Sequence, residues 1–201
     1  MNMKWMKLIL SAAFALFLQG CIVSETIETR IGLGGEGRPV TVIVEYDNIS
    51  SGEDKEDGVR KDFQDLLDDW FGDQLLLDQA EEGLYVKKRE VFIRDGKIVG
   101  RVTGIAKDLD ILDYTFFSNE DGLIMHFDEE KALEQIVETN GNIMSSEKLT
   151  LIVWPKGVTE LYWKQRLYDS DEKEAFEKNR PLLVQLLKGY LATPAKTNDK
   201  S

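Results

Sequence analysis

The chain has one cysteine and one histidine in 201 residues. A single thiol cannot close an intrachain disulfide, form a Cys-x-x-Cys redox pair or supply a cysteine-based zinc site. A single imidazole excludes a multi-histidine metal centre within the chain. Basic residues are also short, with 25 Lys and Arg against 37 Asp and Glu and a formal net charge of -12. Such an excess of anions repels phosphate backbones, so nucleic-acid binding is excluded as a function class. A long apolar run is missing too. Residues 8–18 are apolar apart from Ser11, whereas a helix needs ~20 apolar residues to cross a hydrocarbon core of ~30 Å. The length and the 42% hydrophobic content suit one domain with one ordinary core.

What is present begins with a sorting signal. Lys4 and Lys7 precede the apolar run, so residues 1–20 read as a cleaved secretory signal peptide. The stretch Leu18-Gln19-Gly20-Cys21 then sets a small residue directly before the chain's one cysteine. This resembles the lipobox of bacterial lipoproteins. The resemblance implies cleavage between Gly20 and Cys21, a diacylglycerol thioether on the Cys21 sulfur and acylation of its new amino group. Palmitate-type chains would then hold the protein at a membrane, since each buried CH2 contributes about 0.8 kcal/mol and two or three chains anchor durably. The resemblance also implies a place in the cell envelope, outside the cytoplasm. Ile22, rather than Asp, follows the cysteine, which favours the outer membrane if the envelope is Gram-negative. Loss of residues 1–20 leaves 23 basic and 37 acidic side chains, a formal -14.

A strand-like pattern starts within a few residues of Cys21, at Thr26 to Ile31. Gly32-Leu33-Gly34-Gly35-Glu36-Gly37 satisfies the letters of a dinucleotide-binding fingerprint, which needs a helix next. Val40, Val42, Val44 and Tyr46 alternate instead, so the glycines read as the turn of a hairpin. From 57 to 80, Val59, Phe63, Leu66, Leu67, Trp70 and Phe71 recur at helical spacing, with Asp62, Asp65, Asp68, Asp69 and Asp73 mostly on the solvated arc. Gly72 divides this helix from a shorter one holding Leu75, Leu76, Leu77 and Ala80, and Gly83 stops it. Asp95-Gly96, Asp121-Gly122 and Asn140-Gly141 then predict hairpin turns, as does Pro155-Lys156-Gly157 between 149–154 and 160–168. Residues 171–191 read as a helix, with Asn179 capping and Pro181 in the first turn. The expectation is an α+β fold over residues 21–191, an antiparallel meander sheet of about eight strands with helices packed on one face. A disordered polar tail comes next, at 192–201.

No catalytic set, metal site or cofactor site is expected. His126 would have to serve any Ser-His-acid triad, but it lies opposite the apolar face of Leu123, Met125 and Phe127, and no Gly-x-Ser-x-Gly elbow accompanies it. Asp108, Asp110 and Asp113 form a dense acidic cluster that reads as a connector. Trp70 and Trp163 sit in core patterns. The face of Tyr162, Lys164, Arg166 and Tyr168 is mixed cationic and aromatic, and is the candidate partner surface. Thr139-Asn140-Gly141 followed by a strand ending in Trp154 loosely resembles LppM-type lipoprotein domains, in which an extracytoplasmic β domain is membrane-tethered. No function is carried from it. The expectation is a non-enzymatic envelope lipoprotein whose partner, an envelope protein or lipid, is not specified. The alternatives are a lipid or lipoprotein carrier with an apolar hollow, and a glycan hydrolase using a carboxylate pair.

Overall fold

Among the residues described by the computed structural model, 22–35, 39–81, 83–109, 115–120, 122–127, 135–146, 149–167 and 173–193, eleven strands and three helices are found. In chain order they are β1 (Ile22–Val23), β2 (Thr26–Gly32), β3 (Val40–Ser51), α1 (Glu56–Phe71), α2 (Asp73–Glu81), β4 (Leu84–Arg94), β5 (Lys97–Ala106), β6 (Thr115–Ser118), β7 (Gly122–Phe127), β8 (Gln135–Thr139), β9 (Asn142–Ser146), β10 (Leu149–Pro155), β11 (Glu160–Arg166) and α3 (Lys173–Ala192). The fold is α+β and its strands pair antiparallel. They divide between two sheets. The larger has the order β4-β5-β3-β2-β11-β8, with β1 also on β3, and the smaller has the order β6-β7-β10-β9.

The turn chemistry explains part of this arrangement. Asp95 and Gly96 both have positive φ, 52° and 74°, and Arg94 pairs with Lys97, as a two-residue hairpin requires. The glycine-rich segment after Gly32 joins β2 to β3, which pair antiparallel, so its context is a hairpin rather than a strand-to-helix turn. Asp121 lies outside the described residues, yet Ser118 pairs with Leu123 across that turn. Two other turns do something different. Asn140-Gly141 joins β8, in the larger sheet, to β9, in the smaller, and Pro155-Lys156-Gly157 joins β10 to β11 in the same crossing manner. Neither closes a hairpin, because the strands they connect have partners elsewhere.

One face of the larger sheet carries the core along its whole length. At the β1 end, Ile49, Val91, Ile98 and Val102 meet Phe63, Leu66 and Trp70 of α1 and Leu183 and Leu187 of α3. At the far end, Ile31, Val42, Leu161 and Trp163 meet Met125, Ile152 and Trp154 of the smaller sheet. Tyr46 touches both clusters. Each fully buried large apolar side chain contributes about 1.5 to 3 kcal/mol relative to exposure. A bulge lets β3 serve both halves. The register shifts between Tyr46 and Ile49, with Asn48 at φ 54°, and the extra residue keeps Ile49 on the side occupied by Val40, Val42 and Val44.

Trp70 lies across Gly100, where an added Cβ would sit 2.6 Å from the indole. The end of α1 is held by Arg89, whose guanidinium donates to the carbonyls of Trp70 at 2.8 Å and Gly72 at 2.7 Å. This supplies positive charge and donors at the terminus where the helix lacks them. Three expectations for the helices change. Asp62 is buried rather than solvated, because Ser51 donates to its carboxylate at 2.5 Å. Asn179 is no cap. It sits inside α3, and its amide donates to the Ser51 and Glu53 carbonyls at 2.8 and 2.7 Å. Pro181 accordingly stands within α3 rather than in its first turn, at an exposed position of the helix. In α2, Gln79 is buried whereas Leu77 is exposed, and the Leu75 side chain lies outside those described.

Candidate functional site

The proposed cleavage and lipidation positions, Gly20 and Cys21, lie outside the described residues, as does the whole signal segment. The chain just beyond them is built firmly into the fold. Ile22 pairs with Ser51 and Val23 with Ser50, so the chain enters β1 one residue after Cys21. Ile22 is buried in the helix-covered core. The next residues are stitched in as well, with the Glu25 amide donating to the Asp47 carbonyl at 2.9 Å and the Leu167 amide to the Glu25 carbonyl at 3.2 Å. The Glu25 carboxylate accepts from Asn48 at 2.8 Å and from Lys97 at 3.2 Å. Burial alone would raise its pKa, but these bonds outweigh burial and hold it below the usual carboxylate value.

The candidate partner surface lies on the other face of the larger sheet. In β11, Leu161, Trp163 and Gln165 point to the core, where the Trp163 indole donates to the Gln165 side chain at 3.0 Å. That bond accounts for the polar residue in an apolar row. Tyr162, Lys164 and Arg166 therefore share the opposite face, while Tyr168 lies outside the described residues. Tyr162 is 8% exposed, so it is a packed residue rather than a free aromatic. The Arg30 guanidinium sits 4.4 Å from its ring centroid. Burial, with Glu28 and Glu138 beside it, pushes the Tyr162 phenol far above its ordinary pKa, so it stays a neutral donor. Arg30 bridges Glu28 at 2.8 Å and Glu160 at 3.7 Å, and Lys164 falls in register between Glu28 and Glu138. Acids thus balance the cations of this surface. Among its described members Arg166 is the exposed one.

A second charged group lies on the same face. Glu45 accepts from Arg94 and from Arg101, both at 2.6 Å, and Arg94 also reaches Asp47 at 3.0 Å. Burial would raise the Glu45 pKa, but the two guanidinium groups outweigh it and leave the carboxyl lowered. A general acid for glycoside hydrolysis needs the opposite shift, so Glu45 is unsuited to that role.

The remaining candidates separate in space. His126 lies on the outer face of the smaller sheet, in register with Thr115 and Leu151. Of the acidic cluster, Asp108 is exposed, and Asp110 and Asp113 lie outside the described residues. Among the described residues, no group of three or more His, Cys, Asp or Glu side chains could hold a metal ion, and no helix is long and apolar enough to cross a membrane.

The polar side chain that sequence reasoning missed is Asn140. Its oxygen accepts from the Trp154 indole at 2.6 Å and the Tyr162 amide at 2.9 Å, and its NH2 donates to the Glu160 carbonyl at 2.9 Å. Gly141 allows the approach, since an added Cβ would fall 2.5 Å from Ile152. Asn140 thereby fastens the smaller sheet to β11. Asn-Gly signals a turn in sequence, and nothing local to it announces a bond to a tryptophan fourteen residues on. No family model matches the chain, and no curated protein or solved structure matches it significantly.

Proposed function

We propose that this protein is a membrane-anchored envelope lipoprotein, exported by the signal peptide of residues 1–20 and held at a membrane by lipid on Cys21, with a non-enzymatic binding, accessory or structural role. The observation that carries the reading is in the sequence, where an apolar run and the lipobox-like Leu18-Gln19-Gly20-Cys21 stand directly before the domain. Ile22 is already paired and buried, so lipid on Cys21 would seat the domain against the headgroups and transmit its position to the sheet. The close fit of Trp70 over Gly100 counts against a lipid-carrying hollow at that part of the helix-sheet interface. The lowered Glu45 and Glu25 carboxyls count against acid-base work by those groups.

Metabolic labelling with radioactive palmitate tests the anchor. The wild-type chain is expected to incorporate label and to sediment with membranes, and Cys21→Ser to lose both. Equal labelling of the two chains, or recovery of the wild type in the cytosol with its leader intact, would refute the reading.

A further inference from the structure

Asn140-Gly141 is the chain's only Asn-Gly pair, and it stands where the backbone crosses from one sheet to the other. Such a pair carries a reaction of its own. Glycine has no Cβ to shield its amide nitrogen, and once hydroxide has taken the proton, that nitrogen attacks the side-chain Cγ of the asparagine before it. The new N–Cγ bond closes a succinimide ring, the Cγ–Nδ2 bond breaks and Nδ2 leaves as ammonia. Water then opens the ring at either carbonyl and returns a proton to the glycine nitrogen. The net change is asparagine and water to ammonia and either aspartate or isoaspartate, in which the main chain runs through the former side chain.

The fold holds each group that this reaction must change. The Gly141 N–H, which must be lost, donates to Thr139 Oγ1 at 3.0 Å, and that hydroxyl donates in turn to the Tyr162 carbonyl at 2.6 Å. The Asn140 NH2, which must leave, donates to the Glu160 carbonyl at 2.9 Å. The Asn140 backbone amide is tied to the Tyr162 carbonyl as well, at 3.2 Å. Ring closure forfeits the Gly141 and Glu160 bonds together. Asn140 is an exposed residue, so these bonds, and not exclusion of water, stand between it and the reaction.

The products do not fit the frame. Aspartate sets a carboxylate oxygen where the NH2 faced the Glu160 carbonyl, two acceptors with no proton between them. Isoaspartate adds a carbon to the main chain between β8 and β9 and shortens the side chain by the same carbon. That withdraws the acceptor from the indole N–H of Trp154, a fully buried residue. We propose that Asn140-Gly141 is a self-modification site that its hydrogen-bond frame keeps closed, that conversion follows when the frame opens, and that a converted chain cannot refasten its smaller sheet. A local opening is thereby turned into a permanent covalent mark. This holds whether or not Cys21 carries lipid.

The test follows residue 140 of the full chain by peptide mass spectrometry at mildly alkaline pH, folded and in urea, separating asparagine, aspartate and isoaspartate forms. The wild type is expected to convert more than about tenfold more slowly folded than in urea, a ratio set by how rarely the frame opens. Thr139→Val keeps the β-branched shape but leaves the Gly141 N–H without its acceptor, and is expected to speed conversion of the folded chain without changing the rate in urea. Asn179→Ala, which weakens the helical half instead, is expected to leave the folded rate at the wild-type value. Converted chains, separated by their added negative charge and returned from urea, are expected to show faster hydrogen exchange in β9 and β10 than unconverted chains, with exchange in β4 and β5 unchanged. Equal conversion of the folded and unfolded wild type overturns the proposal. So does a folded Thr139→Val chain that converts no faster than the wild type, or an Asn179→Ala chain accelerated as much as Thr139→Val. Converted chains whose β9 and β10 exchange like those of unconverted chains overturn it as well.

Discussion

At the β1 end the larger sheet is covered by helices, at the far end by a second sheet, and an asparagine side chain takes part in fastening each cover. Asn179 reaches from α3 to two carbonyls at the end of β3, beside the buried Ser51–Asp62 bond. Asn140 reaches from the crossing between sheets to the backbone of β11 and to the Trp154 indole. The difference lies in what each would leave behind. Removing Asn179 strands acceptors, one on the fully buried Ser51, whereas removing Asn140 strands two donors, one of them on the fully buried Trp154. Orphaned buried N–H groups are the rarer and costlier defect. The sheet-on-sheet half should therefore depend more heavily on Asn140 than the helical half does on Asn179.

Replacing the two asparagines in turn tests this difference. Asn140→Gly retains a residue suited to turns, so a mere turn role predicts almost no change. The fastening role predicts a loss of about 3 kcal/mol in urea unfolding, from two buried donors at roughly 1 to 3 kcal/mol each. Asn179→Ala is expected to cost about 2 kcal/mol by the same reasoning. Equal losses, or a larger loss at Asn179, would reverse the ranking of the halves. A smaller effect sharpens the picture of the helical cover. Arg89→Ala removes the donors at the end of α1 and should cost about 1 kcal/mol, with hydrogen exchange rising first in the last turn near Trp70 and Phe71. Uniform acceleration along α1 would show that the guanidinium does not act locally.

The smallest expected effect concerns pH and the charged face that neither cover reaches. Glu45 has a folded pKa below its unfolded value, so the stability it adds is present above the ordinary carboxylate range and is lost as pH falls through the folded value. Glu45→Gln should flatten the fall of stability below about pH 4 to 5. An unchanged slope in that variant would place the acid sensitivity elsewhere, with Glu25 the next group to replace.

The helical half was legible because its signals are local. Val59, Phe63, Leu66, Leu67, Trp70 and Phe71 announce a buried helix face by spacing alone, and all but Phe71, at the last position of α1, are buried. Asp62 was not legible as a core residue, since only the approach of Ser51 from another element makes its burial tolerable. In the strands, alternation correctly placed Val40, Val42, Val44 and Trp163 inside. Alternation tells which face a residue takes, however, and says nothing about which sheet a strand joins. Asn140-Gly141 and Pro155-Lys156-Gly157 have hairpin composition, yet each connects strands of different sheets. Alternation puts Tyr162, Lys164 and Arg166 on the side of β11 away from the core, but the acids beside them come from β2 and β8, and cross-strand neighbours cannot be read from β11 alone.

The route of the chain has a consequence for how the molecule assembles. It passes between the sheets four times, after β5, β7, β8 and β10, and β2 near the start waits for β11 near the end before its second edge is satisfied. Contacts of such long sequence separation are slow to form. A growing chain that has not yet delivered residues 160–166 lacks the strand that ties β8 into the larger sheet, so the architecture closes late and nearly all at once.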